Sequence, residues 1–290
     1  MKLNRSHFRV VFGLAGLAFL ATAFANTLDQ VQGLSFPDPI SLVSAFALIV
    51  FALVGAGRSW VALFAPHHDR GALFGVFFQS QLGKYIPGGV WQAAMQIGLS
   101  KNSNLGLGAA SVAFVVHSLT QLVAGLSLGS MTALLATDLP LPLRSLLAAG
   151  LSSLLLLRRE WMVVVLASLR RLPGVSLELE HVPAQRSIVE STLWSVMVLI
   201  GSGAAFAIVA DSFGIDASPL LMIVTFSISW AIGFLALIFP AGVGVREGVM
   251  ILLLGANAAA VIAASLVHRL LRMVSEVVML AGVEARARWN

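Results

Sequence analysis

Long apolar segments alternate with short polar connections along most of the chain. About 20 apolar residues are enough to cross a bilayer as a helix. The apolar segments are residues 10–25, 40–57, 105–135, 139–157, 188–210, 219–239 and 255–283. We therefore expect an all-α polytopic membrane protein with about six full transmembrane helices plus two broken or re-entrant elements. The segment 139–157 is the weakest candidate, because Pro142 and Arg144 interrupt it.

Composition agrees with this pattern and argues against a soluble enzyme. Of the 290 residues, 58% are hydrophobic and 11% are charged, whereas a soluble domain has about 25% charged residues. We expect a single integral membrane domain over residues 1–290, without enzymatic activity and without a cofactor. The chain has no cysteine and its six histidines form no HExxH pattern, so no metal site is predicted. The scattered basic residues argue against a nucleic-acid partner.

The basic residues predict an orientation instead, because Lys and Arg are retained in cytoplasmic loops. They occur before the segment 10–25, after 40–57, around the central loop 170–187 and at the end of the chain. We expect a multi-pass protein of the inner (plasma) membrane with both termini and the loop 170–187 in the cytoplasm. The first segment ends in Ala23-Phe24-Ala25 and is either a cleaved signal peptide or an uncleaved first helix.

Proline and glycine interrupt the apolar pattern at two places, Ile86–Val90 and Phe239–Val243. The helix-breaking residues in and beside these breaks are Pro87, Gly88, Gly89, Pro240, Gly242 and Gly244. Lipid cannot satisfy the backbone groups that such breaks release, so each break must face protein or a water-filled cavity. The elements around the breaks follow the same order, which predicts two inverted halves, about 40–135 and 188–283. Inverted repeats with broken helices are typical of transporters.

Charged and amide side chains lie just before the first break. Lys84 and Gln81 are three residues apart, so on a helix they could face one cavity. Lys84 could bind an anionic headgroup there. Alternatively, Lys84 extends to the membrane surface beside Tyr85 and Trp91, two aromatic side chains suited to headgroup depth.

Two adjacent charges, Arg246 and Glu247, follow the second break in an apolar context. Near the bilayer centre each charge would cost about 2.5 to 3.5 kcal/mol without a partner. Arg246 could bind a phosphate group while Glu247 orients it or exchanges a proton. Alternatively, this break lies at the membrane surface, where the pair would contribute little.

The last apolar segment contains a charged stripe at helical spacing. Its members are His268, Arg272 and Glu276, with Arg269 beside them. The stripe could supply further anion ligands, Arg269 in preference to Arg272, or form a buried charge network that closes the bundle.

Two pairs of residues on the segment 105–135 are better explained by helix packing than by chemistry. His117 and Gln121, four residues apart, are expected to make interhelical hydrogen bonds. Gly125 and Gly129 have GxxxG spacing, which predicts a close approach of a neighbouring helix.

Three motifs resemble the transmembrane region of the lysylphosphatidylglycerol synthases, a family that includes the flippase-like domain of the multiple peptide resistance factor and stand-alone relatives. They are Leu82–Trp91 (LGKYIPGGVW), Phe239–Gly248 (FPAGVGVREG) and Leu266–Arg272 (LVHRLLR). The site residues that the resemblance implies are Lys84, Pro87, Gly88, Pro240, Gly242, Gly244, Arg246, Glu247 and Arg269. Ala241 replaces a glycine and His268 an aromatic residue that are common in the family. No segment resembles the soluble aminoacyl-transferase domain, so lysyl transfer from tRNA is not expected.

The residues and the resemblance together favour a lipid flippase or transporter. It would bind an anionic lipid, either a phospholipid or a polyprenyl-phosphate-linked sugar, and move it across the inner membrane. The residues expected at the headgroup are Gln81, Lys84, Tyr85, Trp91, Arg246, Glu247 and Arg269. One alternative is a non-transporting scaffold or accessory subunit that partners a lipid-modifying enzyme or glycosyltransferase. A less favoured alternative is a membrane enzyme acting on a lipid-linked substrate.

Overall fold

The computed structural model describes residues 36–64, 68–85, 91–101, 105–171, 177–236 and 244–289, which form helices and no strands. The long apolar helices are α1 (Pro39–Val61), α4 (Leu107–Ser130) with its extension α5 (Thr132–Leu135), α8 (Gln185–Ser212) and α11 (Ala258–Trp289). These are the four described helices that are long and apolar enough to cross a membrane. The expectation of an all-helical chain with helices able to span a membrane is confirmed for the described residues, whereas the segment 10–25 lies outside them.

Shorter helices flank both breaks. The first is flanked by α2 (Arg70–Gln81) with a 3₁₀ turn (Leu82–Tyr85), and by α3 (Trp91–Ser100); the second by α9 (Pro219–Leu235) and α10 (Val245–Leu254). At about 1.5 Å per residue, α2, α3 and α10 are each too short for a hydrocarbon core of about 30 Å. In both cases the helix before the break packs against the helix after it.

The weakest predicted crossing, 139–157, is not a straight helix. It consists of α6 (Leu141–Ala149) and a 3₁₀ segment (Gly150–Leu157), and α7 (Arg159–Leu169) follows after a bend of 95°. Arg158 has the extended backbone that separates the two parts. Counting this bent pair, the described residues contain up to five crossings. The total of six plus two broken elements stays a prediction.

Helices α1 and α8 form the centre of the bundle and run antiparallel. A Cβ atom on Gly55 would lie 3.2 Å from Val198 Cγ2, and one on Gly201 would lie 3.4 Å from Ala52 Cβ. Toward the other end of the contact, the Ser59 and Ser191 hydroxyl oxygens are 2.9 Å apart. Glycine at the two crossing points lets the helix backbones approach closely, which favours association where lipid supplies no hydrophobic driving force.

The remaining long helices pack around this centre. A Cβ atom on Gly129 would lie 2.7 Å from Ile228 Cα, and one on Gly125 would lie 3.1 Å from the Ser227 carbonyl oxygen. The predicted close packing at Gly125 and Gly129 is therefore confirmed, with α9 as the neighbour. Helix α11 packs against α1, α2, α8 and α10. It consequently touches elements that flank both breaks.

Asp38 caps the start of α1. Its carboxylate accepts hydrogen bonds from the Ser41 hydroxyl at 2.6 Å and from the Ile40 N–H at 2.8 Å. The bond from the Ser41 hydroxyl, together with the backbone bonds, lowers the pKa of Asp38. The cap satisfies backbone donors that a helix start leaves without partners.

Candidate anion-binding site at the two breaks

Six charged side chains gather where the flanks of the two breaks meet α11, and we call them the break cluster. They are Lys84, Arg246, Glu247, Arg269, Arg272 and Glu276. The first comes from the turn before the first break, the next two from the start of α10, and the last three from α11. Residues far apart in the sequence are thus brought together on one face of α11.

Lys84 is held by a carboxylate of α11. Its ammonium group donates a hydrogen bond to Glu276 and lies 3.4 Å from Gln81 Oε1. Glu276 also accepts a bond of 3.2 Å from Arg272 Nε, and its side chain is 1% exposed. Lys84 and Gln81 therefore share one environment, as their spacing predicted. The Lys84 ammonium group therefore binds a carboxylate inside the protein, and its side chain does not simply extend to the membrane surface.

Glu247 fixes the start of α10 and binds an arginine of α11. Its Oε2 accepts the Gly244 N–H at 2.7 Å, and its Oε1 accepts Arg269 Nη2 at 2.7 Å. Gly244 has a φ of 82°, a conformation that side-chain-bearing residues rarely adopt. The glycine lets the chain enter α10 at an angle that brings the Glu247 carboxylate back over its own helix start.

Arg246 differs from the other cations of the break cluster. Its guanidinium carbon lies 5.8 Å from the centroid of the Trp230 ring, within range for a cation–π interaction. Its stem crosses Gly233, where a Cβ atom would lie 2.4 Å from Arg246 Cγ. Among the described residues, its buried Nε has no hydrogen-bond partner. Arg246 is thus the cation of this cluster that is best placed to accept a further anionic partner.

The break cluster carries more positive than negative charge. Four cations face two carboxylates, and Arg246 interacts electrostatically with Arg269, Glu247 and Arg272. The break segments 86–90 and 237–243 contain no charged residue in the sequence. An anion would therefore find complementary charge here, together with guanidinium groups whose geometry suits phosphate oxygens.

Other predicted site residues have different positions. Trp91 begins α3 and is 43% exposed, and its backbone lies against Gly83. Tyr85 ends the 3₁₀ turn, but its side chain lies outside the described residues. The residues Pro87, Gly88, Gly89, Pro240 and Gly242 also lie outside them.

Four contributors to the site were not among the residues expected at the headgroup. They are Trp230, Gly233, Arg272 and Glu276. The helical spacing of Arg272 and Glu276 was a visible signal for a buried charge network, and that network is present. No local pattern identified Trp230 and Gly233, because only the fold brings α9 beside Arg246.

The histidines of α4 and α11 both contact neighbouring helices. His117 Nδ1 lies 3.3 Å from the Ser59 hydroxyl of α1, and its Nε2 lies 2.8 Å from the Gln121 side chain on the same helix. His268 packs edge-to-face against Phe206 and Phe226. The expected interhelical hydrogen bond is confirmed for His117, whereas the bond of Gln121 stays within α4.

One group of potential metal ligands occurs in the described part of the chain. The ligand atoms of Glu178, Glu180 and His181 lie within 4.8 Å of one another, and all three residues are exposed. Glu178 Oε2 lies 3.2 Å from His181 Nδ1. Exposed acidic side chains of this kind are common without a bound metal.

Comparison with known proteins assigns no family to the chain. No model of a protein family matches it, and no curated protein matches it.

Proposed function

We propose that the protein is a lipid flippase or transporter that binds an anionic lipid at the break cluster and moves it across the inner membrane. The observation that carries the proposal is the excess of positive charge beside the two breaks, with Arg246 held over Trp230 and its Nε without a hydrogen-bond partner among the described residues. The chain would then be related to the transmembrane region of the lysylphosphatidylglycerol synthases, as its motifs imply.

The cost of burying this charge supports a binding role. Charged side chains within a membrane are expensive and mark substrate pathways unless they are fully paired. The side chains of Lys84, Arg269 and Arg272 keep 22%, 18% and 24% of their exposure. These three side chains are therefore only partly buried.

Two inverted halves would supply the movement, and the packing of α1 on α8 supports them. Gly55 contacts Val198 and Trp194, while Gly201 contacts Ala52 and Leu48. The same offset in residue number relates Gly55 to Gly201, Ala52 to Val198 and Leu48 to Trp194. The two contacts are therefore images of each other in antiparallel helices, as expected for a pseudo-two-fold axis in the membrane plane.

The histidines repeat the same relation. His117 packs edge-to-face against Trp60 of α1 and Phe77 of α2. His268 packs in the same way against the corresponding helices α8 and α9. We take the halves to be about 40–135 and 188–283, with both termini in the cytoplasm. Exchange of their conformations would expose the break cluster to each leaflet in turn.

Native mass spectrometry of the purified protein tests the binding step. We expect the wild type to retain one class of anionic lipid, and Arg246→Ala and Lys84→Ala to lose it. Lys101→Ala is the matched control, because Lys101 is exposed and lies outside the break cluster. The retained lipid would then be reconstituted with the protein in liposomes, and its movement between leaflets measured.

Two outcomes would overturn this function. An unselective lipid profile that Arg246→Ala and Lys84→Ala leave unchanged would make the charges structural and favour a scaffold. Chemical conversion of a lipid by the purified protein would favour an enzyme. The orientation has a separate test: a cysteine at Asp216 in this cysteine-free chain should react with an impermeant reagent from outside, and labelling only from the cytoplasm would contradict the inverted halves.

A further inference from the structure

We infer that the break cluster selects a phosphate group carrying two negative charges, such as a phosphate monoester, over a phosphodiester with one. This inference rests on the proposed function and specifies the headgroup. It follows from the number of charges in the cluster and from the way each carboxylate is already used.

Both carboxylates of the break cluster are committed to protein partners. Glu247 accepts the Gly244 N–H and Arg269, and Glu276 accepts Lys84 and Arg272. Each carboxylate therefore offsets one positive charge. Among the described residues, the cluster has four cations for these two carboxylates, and the break segments contain no acid in the sequence, so the cluster has an excess of two positive charges that a ligand could balance.

Charge matching is a strong selector in this environment. Charges near a low-dielectric region interact several times more strongly than charges in bulk water. A phosphate dianion would balance the excess, a phosphodiester would leave one positive charge, and a zwitterionic headgroup would bring an additional cation. Binding of the zwitterion is therefore the least favourable of the three.

The geometry also suits a terminal phosphate group. Arg246 approaches from the side of the second break, and Lys84 from the side of the first. The Arg246 guanidinium group offers two parallel donors and the Lys84 ammonium group a point charge. A monoester presents three unsubstituted oxygens to such donors, whereas the second ester bond of a phosphodiester removes one of them.

Two lipids with identical acyl chains provide the matched test. Dioleoyl phosphatidic acid is a phosphate monoester, and dioleoyl phosphatidylmethanol is the corresponding methyl diester with one charge. Binding of each to the wild-type protein in detergent is measured by native mass spectrometry or by quenching of tryptophan fluorescence with a brominated lipid. At pH 8 we expect phosphatidic acid to bind about tenfold more tightly.

The dependence on pH strengthens the test. The second ionisation of a phosphate monoester lies near pH 6, so the affinity ratio of the two lipids should fall toward one at pH 5. The methyl diester has no ionisation between pH 5 and pH 8, so any change in its own binding over this range measures the contribution of the protein, whose charged and titratable groups at the ligand are Lys84, Arg246, Glu247, His268, Arg269, Arg272 and Glu276. A ratio near one at pH 8 would overturn the inference.

Variants locate the preference. Arg246→Gln removes one of the two excess charges and should reduce the ratio at pH 8 to about twofold, whereas Arg170→Gln, at an exposed position, should leave it near tenfold. An unchanged ratio in Arg246→Gln would contradict the role of the break cluster. Equal binding of both lipids that still requires Arg246 would leave the flippase proposal standing. Binding of neither lipid would overturn this inference, and it would remove the flippase proposal as well if the purified wild type also retains no anionic lipid.

A soluble phosphate ester has the same chemistry and is the other possible source of the ligand. We expect glycerol 3-phosphate and inorganic phosphate at millimolar concentration to leave the binding of phosphatidic acid unchanged, because they lack acyl chains to enter the membrane. If either compound displaces bound phosphatidic acid at a lower concentration than added phosphatidic acid does, a soluble phosphate compound is the ligand.

Discussion

Removal of the Glu276 charge should weaken the bundle, because two cations share this one carboxylate. Breaking a buried ion pair by removing one partner costs about 3–5 kcal/mol. Lys84 and Arg272 retain 22% and 24% exposure, so water offsets part of this loss. We expect Glu276→Gln to reduce the free energy of unfolding by about 2 kcal/mol.

A double-mutant cycle measures the contact itself. The variants are Lys84→Met, Glu276→Gln and the two combined, unfolded at equilibrium in mixed micelles of a mild detergent and SDS and followed by circular dichroism. Because the substitutions remove the same interaction, the combined variant should lose about 1–2 kcal/mol less than the sum of the single variants. Lys84→Met with Glu247→Gln is the matched control, since Glu247 binds Arg269 instead.

The control and the test pair must differ for this reasoning to hold. We expect the control pair to be additive to within about 0.5 kcal/mol. A coupling energy near zero for Lys84 and Glu276 would refute the stabilising role of their contact. Equal coupling energies for Lys84 with Glu276 and for Lys84 with Glu247 would mean that the charges interact only at long range. No specific hydrogen bond would then connect the first break to α11.

Three further predictions concern packing and capping. Cysteines at Ser59 and Ser191 should form a disulfide on oxidation, detected by mass spectrometry of the linked peptides, because the native hydroxyl oxygens are 2.9 Å apart; failure to link would contradict the antiparallel register. Gly129→Ala should destabilise the protein by about 1–3 kcal/mol in the same unfolding assay, whereas Gly98→Ala, with nothing within 4 Å of the new Cβ, should not. Asp38→Asn should lower the melting temperature at pH 7. Because the folded-state pKa of Asp38 lies below its ordinary value of 3.8, that stabilisation is present above pH 3.8 and is lost as the pH falls through the folded-state value. The variant and the wild type should therefore converge in acid, and a difference that is independent of pH would exclude the carboxylate as its cause.

The long helices were predictable from the sequence because crossing a bilayer demands mainly length and apolarity. The predicted segment 188–210 is contained in α8, Gln185–Ser212. The segment 139–157 was not predictable in the same way. Its leucines suit a straight helix, a 3₁₀ segment or a bent pair equally well, and the bend at Arg158 depends on packing.

Part of the candidate site was predictable because it depends on helical spacing. Lys84 and Gln81, three residues apart, share one environment, and Arg272 and Glu276, four apart, form a hydrogen bond. The contact between Lys84 and Glu276 joins positions 192 residues apart, so no local pattern specifies it. A local pattern indicates which side of a helix carries charge, and the fold decides which charge it meets.

The placement of both ion-pair systems on α11 has a consequence for how the protein is made. As an isolated segment, α11 would carry the three charges of its stripe, Arg269, Arg272 and Glu276, into lipid, each costing about 2.5 to 3.5 kcal/mol. Their partners, Lys84 and Glu247, are synthesised before α11 emerges from the ribosome. These two residues therefore enter the membrane before their α11 partners are present. Helix α11 in turn is stable in lipid only when it docks against them. Insertion of α11 into lipid and its docking on the bundle therefore become a single event.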